Sequence, residues 1–436
     1  VPNGTTHRSG TSGTSNSSYD WIWGLIVLLV IAAVVIFIIV KIVGAIKKSA
    51  GAAVPAFDDS KPTVFEFDQG VLQRIKSSDP DFNPDGFMNK AKEIAERLQA
   101  AWSAGDMLPV RNYVSQGIFS RYRLQLELMM KDEKLRNVVG DYKIIKIRVG
   151  DMSASKSYDT LHVSIYAAAR DVMVSADATD EQAAKVLKSA TKAPFTEIYS
   201  FTRKVGVKTN TSRDWLKGEC PNCGYVPDNF SQVNKCSSCG SIYNSGEYDW
   251  VLSEITQEEE WSPVSAQDVE GLAGLEGKNL SINREVIEDR ASFLFWRWIF
   301  ARVRGTSAPL SRDATQEFRQ SMGAGPEPMS DISVGAVDLE NVKQEGGDVR
   351  SEVKVLWSRA TPGSVEPYHQ EHRFMLSMPL TMKNPYGLAD HSCPGCGGPL
   401  PETDATSCSY CGAELPAQNT DWILTGTQQI DWENNG

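Results

Sequence analysis

Histidine is scarce in this chain: His7, His162, His369, His372 and His391 are the five in 436 residues. So few imidazoles leave general acid–base catalysis little to draw on. His369 and His372 are three apart in a strand-like run, which sends them to opposite faces and argues against a shared metal. His162 alternates with Leu161, Val163 and Ile165 and reads as a solvent-face residue. No Walker-type phosphate loop and no G-x-S-x-G elbow occur, so nucleotide hydrolysis and α/β-hydrolase chemistry lack their signatures. The run Glu258–Glu260 reads as a solvated charged segment. Positive charge is also short: 44 Lys+Arg stand against 55 Asp+Glu, a net charge of −11. Residues 384–436 contain no Lys or Arg but do contain Asp390, Glu402, Asp404, Glu414, Asp421, Asp431 and Glu433. Contact with phosphates depends on cationic side chains, so a nucleic-acid partner is excluded, most firmly for this last stretch.

Residues 21–40, WIWGLIVLLVIAAVVIFIIV, lack any charge or proline. Twenty residues at 1.5 Å each make a helix of about 30 Å, enough to cross a hydrocarbon core. Trp21 and Trp23 stand at one end, and Lys41, Lys47 and Lys48 crowd the other, against a single Arg8 before the run. The positive-inside rule then puts the N-terminus outside and everything after Lys41 in the cytoplasm, as a single-pass inner-membrane protein. Residues 1–20 read as a flexible extracytoplasmic tail, 21–46 as the transmembrane helix and 47–79 as a tether.

The eight cysteines fall into two sets of four. Cys220, Cys223, Cys236 and Cys239 make C-x2-C-x12-C-x2-C, and Cys393, Cys396, Cys408 and Cys411 make C-x2-C-x11-C-x2-C. Each C-x2-C turn offers two thiolates to one side of a tetrahedral ion. Cytoplasmic thiols stay reduced, which disfavours disulfides, and redox C-x2-C motifs do not need a matched second pair. The expectation is two structural zinc ions per chain, in ribbons at 218–242 and 391–414, with iron as the minor alternative. Four thiolates leave no open position for catalysis, and closing such a ribbon contributes on the order of 10 kcal/mol to its folding.

The chain also repeats itself. Each ribbon is followed by a similar stretch, Tyr248–Ser253 and Thr420–Thr425, and preceded by an alternating one. In the first of these Phe195, Glu197, Tyr199 and Phe201 share a face; in the second His372, Phe374, Leu376, Met378 and Leu380 do. An amphipathic helix opens each half, the first capped near Asn83 and stopping near Gly105. The expected class is α+β, with helices covering one face of a curved antiparallel sheet twice over. The domains read as 80–262, a linker at 263–279, and 280–436. The second opening helix is apolar nearly all round, with Phe293, Phe295, Trp296, Trp298 and Phe300 interrupted by Arg297. Burial between its sheet and the other domain is the favoured reading, and these five aromatics are the candidates for membrane or partner contact if it is exposed.

Residues 81–126 resemble the domain shared with subunit 44 of the mitochondrial inner-membrane import translocase. The match rests on Asp85-Gly86-Phe87, Ala91, Ala101-Trp102, Gly105-Asp106, Arg111, Phe119 and Leu126. The second copy keeps Pro309 and Phe318 but not the Gly-Asp step. The resemblance implies two tandem cone-shaped domains similar to nuclear transport factor 2, each with an apolar pocket, in a membrane-associated scaffold; the ribbons are an addition to the family pattern. The expectation is a non-enzymatic scaffold or adaptor that binds a protein partner or lipid at the cytoplasmic membrane surface. The alternatives are a tethered enzyme using the cone pocket with His162, and a structural subunit of a membrane complex or homo-oligomer.

Overall fold

Strand β1 (Val64–Phe67) and helix α1 (Gln69–Ser78) form because an alternating V-F-E-F run is followed by Asp68, whose carboxylate accepts from the Val71 amide as an N-cap. β1 lies parallel to β2 (Leu135–Ala154), and α1 buries Val71 and Ile75. The second half of the expected tether is therefore part of the first domain. Lys61, Glu66 and Asp68 dilute a short apolar pattern that only its sheet partner completes. The computed structural model describes residues 60–261, 269–279, 281–323, 325–360, 368–382, 387–389, 392–401, 403–417 and 421–430. The tail and the expected transmembrane helix lie outside them, and no described helix is long and apolar enough to cross a membrane.

The fold is α+β. Helix α2 (Pro84–Ala104) starts on an Asn83 cap and ends at Gly105, whose φ of 72° needs glycine. After a 3-10 turn at Leu108–Tyr113, α3 (Gln116–Glu127) follows. Strands β2, β3 (Tyr158–Ser175), β4 (Ala193–Lys204) and β5 (Val251–Gln257) then run antiparallel, with β1 completing the order β1-β2-β3-β4-β5. Helix α4 (Asp180–Ser189) sits between β3 and β4, closed by a capping box at Thr179 and Gln182. Three register shifts in β2 bend this 20-residue strand and curve the sheet around α2. Phe87, Ala91, Ile94 and Leu98 pack there against Val163, Ile165, Tyr199 and Phe201.

The second half repeats the plan with α5 (Leu272–Leu275), α6 (Arg284–Arg304), α7 (Gln316–Ser321) and the sheet β6-β7-β8-β9 (Ser330–Glu345, Asp348–Ala360, Tyr368–Pro379, Ile423–Ile430). Asn283, Gly305 and Thr315 cap their helices 200 positions after Asn83, Gly105 and Ser115. Gly305 and Thr306 donate to Arg302 and Ala301 as Gly105 and Asp106 donate to Trp102 and Ala101. The glycine of the Gly-Asp step is thus retained, and only the aspartate is replaced. Residues 269–279 of the expected linker also belong to the fold: Glu270 bridges Asn341 of β6, and Leu275, 200 after Ile75, is buried. Both ribbons sit between the last two strands of their sheets, as the sequence order requires.

From Asp59 onward the halves form one unit. The crossing of α3 and α6 joins them: Asp289 accepts from the Ser115 hydroxyl and, at 3.1 Å with each oxygen, from the Gly117 amide. Leu124 and Leu128 of the first half complete the second core.

Candidate metal centres and the first cone cavity

All four C-x2-C turns are built alike. The first cysteine amide of each donates five residues ahead, to Tyr225, Ser241, Gly398 or Ala413, and its carbonyl accepts from the glycine after the second cysteine. Those glycines, Gly224, Gly240, Gly397 and Gly412, have φ between 73° and 77°, a left-handed turn that brings the sulfurs together. The eight cysteines meet as the two sets expected from spacing. Sγ atoms of Cys220 and Cys239 are 3.7 Å apart and those of Cys223 and Cys236 3.8 Å; Cys393–Cys411 and Cys396–Cys408 repeat these values. A tetrahedron with metal–sulfur bonds of about 2.3 Å has edges of about 3.8 Å. A disulfide would need about 2.05 Å. The donor sets fit a four-coordinate metal ion with no coordination position left open.

Each ribbon is anchored by the same position of its own half. The Asn112 amide donates to carbonyls of Phe230 and Val233 in the first ribbon, and Arg312 donates to Thr403, Ala405 and Pro416 around the second. The ribbons also touch each other. The Asn234 amide donates to the Gly397 carbonyl at 3.2 Å, and the Asn234 side chain reaches Ser392 at 3.1 Å.

The two cones differ. In the first, a cavity of about 610 Å³ opens between α2, α3 and the sheet, lined among others by Leu98, Trp102, Tyr122, Met129, Phe195 and Glu197. Glu197 accepts from Tyr199 at 3.2 Å and Gln257 at 3.1 Å; burial still pushes its carboxyl above the usual range. Gln125 and Trp296 stand in the wall of this cavity, and Gln125 Oε1 and Trp296 Nε1 are buried within that wall with no hydrogen-bond partner among the described residues. In the second cone the corresponding space holds rings. Trp298 lies 5.1 Å from His372 and 5.4 Å from Phe374, and the Trp357 indole donates to His372 Nδ1 at 3.1 Å. Burial, with Arg302 and Arg359 nearby, lowers the His372 pKa to about 4. By strand register His372 occupies the place of Glu197. The space of the second half is a surface groove of about 840 Å³ along Phe318, Met322 and Pro326.

Phe293, Phe295 and Trp296 are fully buried, and Trp298 and Phe300 nearly so. They fill the second core and its contact with the first half, so as candidates for membrane contact they are corrected: the all-round apolar pattern reflects burial on two sides. His162 is corrected as a cone-pocket residue. Odd positions of β3 face the core, which puts His162 on the outer face under α6, between Ser153 and Ser200 hydroxyls at 3.1 and 3.0 Å. Its pKa is lowered by burial, against the pull of Glu254. Glu197 carried one overlooked signal: it is a charge set between Phe195 and Tyr199 on the apolar face of its strand.

Residues 68–216 match the Tim44-like domain, so this stretch, which ends just before the first ribbon, is identified as such a domain. No curated protein matches the chain. A solved structure titled "Ntf2 like protein involved in plasmid conjugation" aligns at 5% identity over 76% of this chain and 96% of that one. Its TM-score is 0.18.

Proposed function

We propose that this chain is a membrane-tethered scaffold whose first cone binds one apolar group, a lipid chain or an apolar side of a partner protein. The second cone, packed solid, and two zinc ribbons hold that first cone in a fixed frame. The supporting observation is where the space lies: the first half has about 610 Å³ beside Glu197, whereas the matching place of the second half holds Trp298, Trp357, His372 and Phe374 and its groove of about 840 Å³ runs along Phe318, Met322 and Pro326 instead. The Tim44-like match over 68–216, which contains most of the open cavity's wall, supports a binding role. Zinc suits both four-thiolate sites, and the span at 21–46 supplies the anchor, with the domains on the cytoplasmic side.

The test is photo-crosslinking in native membranes with benzoylphenylalanine at Gln99, on the cavity rim. A discrete lipid or peptide adduct at 99, absent when the probe is moved to Thr427 in the second half, is the expected result. No adduct at 99, or equal adducts at both positions, would refute the reading.

A second reading has one observation behind it. The Glu197 carboxyl, raised by burial and held by Tyr199, faces a cavity large enough for a substrate, so acid–base catalysis there is the enzymatic alternative. Turnover by a Glu197→Gln variant equal to wild type would remove it.

A further inference from the structure

The absence of Lys and Arg from residues 384–436 acquires a physical meaning at the second ribbon. Four thiolates around a divalent ion carry a net charge of about −2, and such a group in a partly buried site needs cations nearby. None comes from its own sequence stretch. Arg312, from the second half, donates to three carbonyls flanking the Cys408–Cys411 turn. The other two cations come from the first half.

Arg111 is fully buried, with its guanidinium 5.3 Å from the Phe119 ring. It donates to the Gln232 carbonyl at 2.6 Å, in the first ribbon, and to the Ser392 hydroxyl at 3.1 Å, beside the ligand Cys393. No carboxylate pairs with it among the described residues. A buried guanidinium without an anion is strongly unfavourable; burial disfavours its charge, and Tyr410, Cys396 and Cys408 of the second ribbon favour it, with Arg123 opposing. Lys235 stands next to the ligand Cys236, and its ammonium donates at 3.0 Å to the Pro394 carbonyl, inside the Cys393–Cys396 turn. The backbone joint between the ribbons holds both cations in place. A Cβ at Gly397 would lie 2.4 Å from Asn234 Oδ1 and 2.9 Å from the Lys235 amide, so this contact is as close as glycine permits.

We propose that Arg111 and Lys235 are the outer-sphere cations of the second metal centre, so that the first half of the chain governs how firmly that centre holds its ion. The inference rests on the reading that both ribbons hold metal. It makes the second centre depend on residues 150 to 300 positions earlier in sequence.

The experiment uses the full chain purified with its ions. Metal content is measured first, and each variant is then pulsed with N-ethylmaleimide and its cysteine peptides quantified. Arg111→Met should raise the alkylation rate of Cys393–Cys411 by about 10- to 100-fold, the usual cost of losing an outer-shell partner, and leave Cys220–Cys239 near wild type. Arg111→Lys should restore most of the protection, because it returns the charge without the forked hydrogen bonds. Lys235→Met, at a partly exposed position, should move the second set in the same direction by a smaller factor, and it carries the test if Arg111→Met does not fold. Lys217→Met, an exposed lysine by the first ribbon, is the matched control and should leave the second set unchanged. An unchanged second set in metal-loaded Arg111→Met and Lys235→Met overturns the inference and leaves the metal reading standing. Equal acceleration of both sets, or no rescue by lysine, overturns it by pointing to loosened packing. A wild-type chain without metal removes both readings.

Discussion

Replacing Gly117 by alanine tests how the halves are joined. A Cβ at this position would lie 2.2 Å from Asp289 Oδ1 and 2.6 Å from the Asp289 carbonyl oxygen. The carboxylate can turn away, but the carbonyl belongs to the α6 backbone and cannot. Restoring an ordinary contact of about 3.4 Å requires α3 and α6 to part by roughly 0.8 Å. That strains the bonds from the Gly117 amide and the Ser115 hydroxyl to Asp289, which is buried. Overpacking costs about 1–3 kcal/mol and a weakened hydrogen bond to a charged group about 1.5–3, against about 1 kcal/mol gained from the helix preference of alanine. The expected net loss is about 2–4 kcal/mol, read from guanidinium unfolding of the full chain. Gly274→Ala is the control, since nothing lies within 4 Å of a Cβ there, and it should be within about 1 kcal/mol of wild type. Equal stability of the two variants would refute the close crossing.

Two further outcomes follow from buried charge. Burial raises the carboxyl pKa of Glu285 from 4.5 to about 7 and of Glu288 to about 8. The folded chain therefore holds protons that the unfolded chain releases, so stability should fall as pH rises from about 4.5 towards 8; Glu285→Gln should flatten that slope in unfolding midpoints measured across the range. Asp79 pairs with Arg203 at 2.8 Å, both nearly inaccessible, and accepts from the Thr209 amide and hydroxyl. Asp79→Ala leaves the guanidinium buried without its anion and should cost about 3–5 kcal/mol, whereas Asp79→Ala with Arg203→Met should recover part of it in a double-mutant cycle.

The ribbons were legible because their chemistry is local: two cysteines three apart and a following glycine specify a turn without help from the rest of the chain. The repeat was legible for the same reason, since Trp250 and Trp422 follow their ribbons at one spacing. The surroundings of the long helix at 284–304 were not. An all-round apolar pattern says that every face is covered but not by what, and here one cover is α3 of the other half. The domain starts at Val64 and Glu270 were hidden because a four-residue parallel strand and a one-residue bridge carry no periodicity of their own. Arg111 appeared in the sequence only as a family residue. Its second role depends on Ser392, 281 positions away, and no sequence pattern reports such a contact.

Binding of a long-chain fluorescent fatty acid to the full chain, followed by titration, tests the scaffold account most directly. The account predicts one site per chain, lost in Ala193→Trp, which puts an indole into the first cavity from an exposed position on its wall, and kept in Thr427→Trp in the second half. Binding that survives Ala193→Trp would contradict it, and no binding to the wild-type chain would contradict its lipid form.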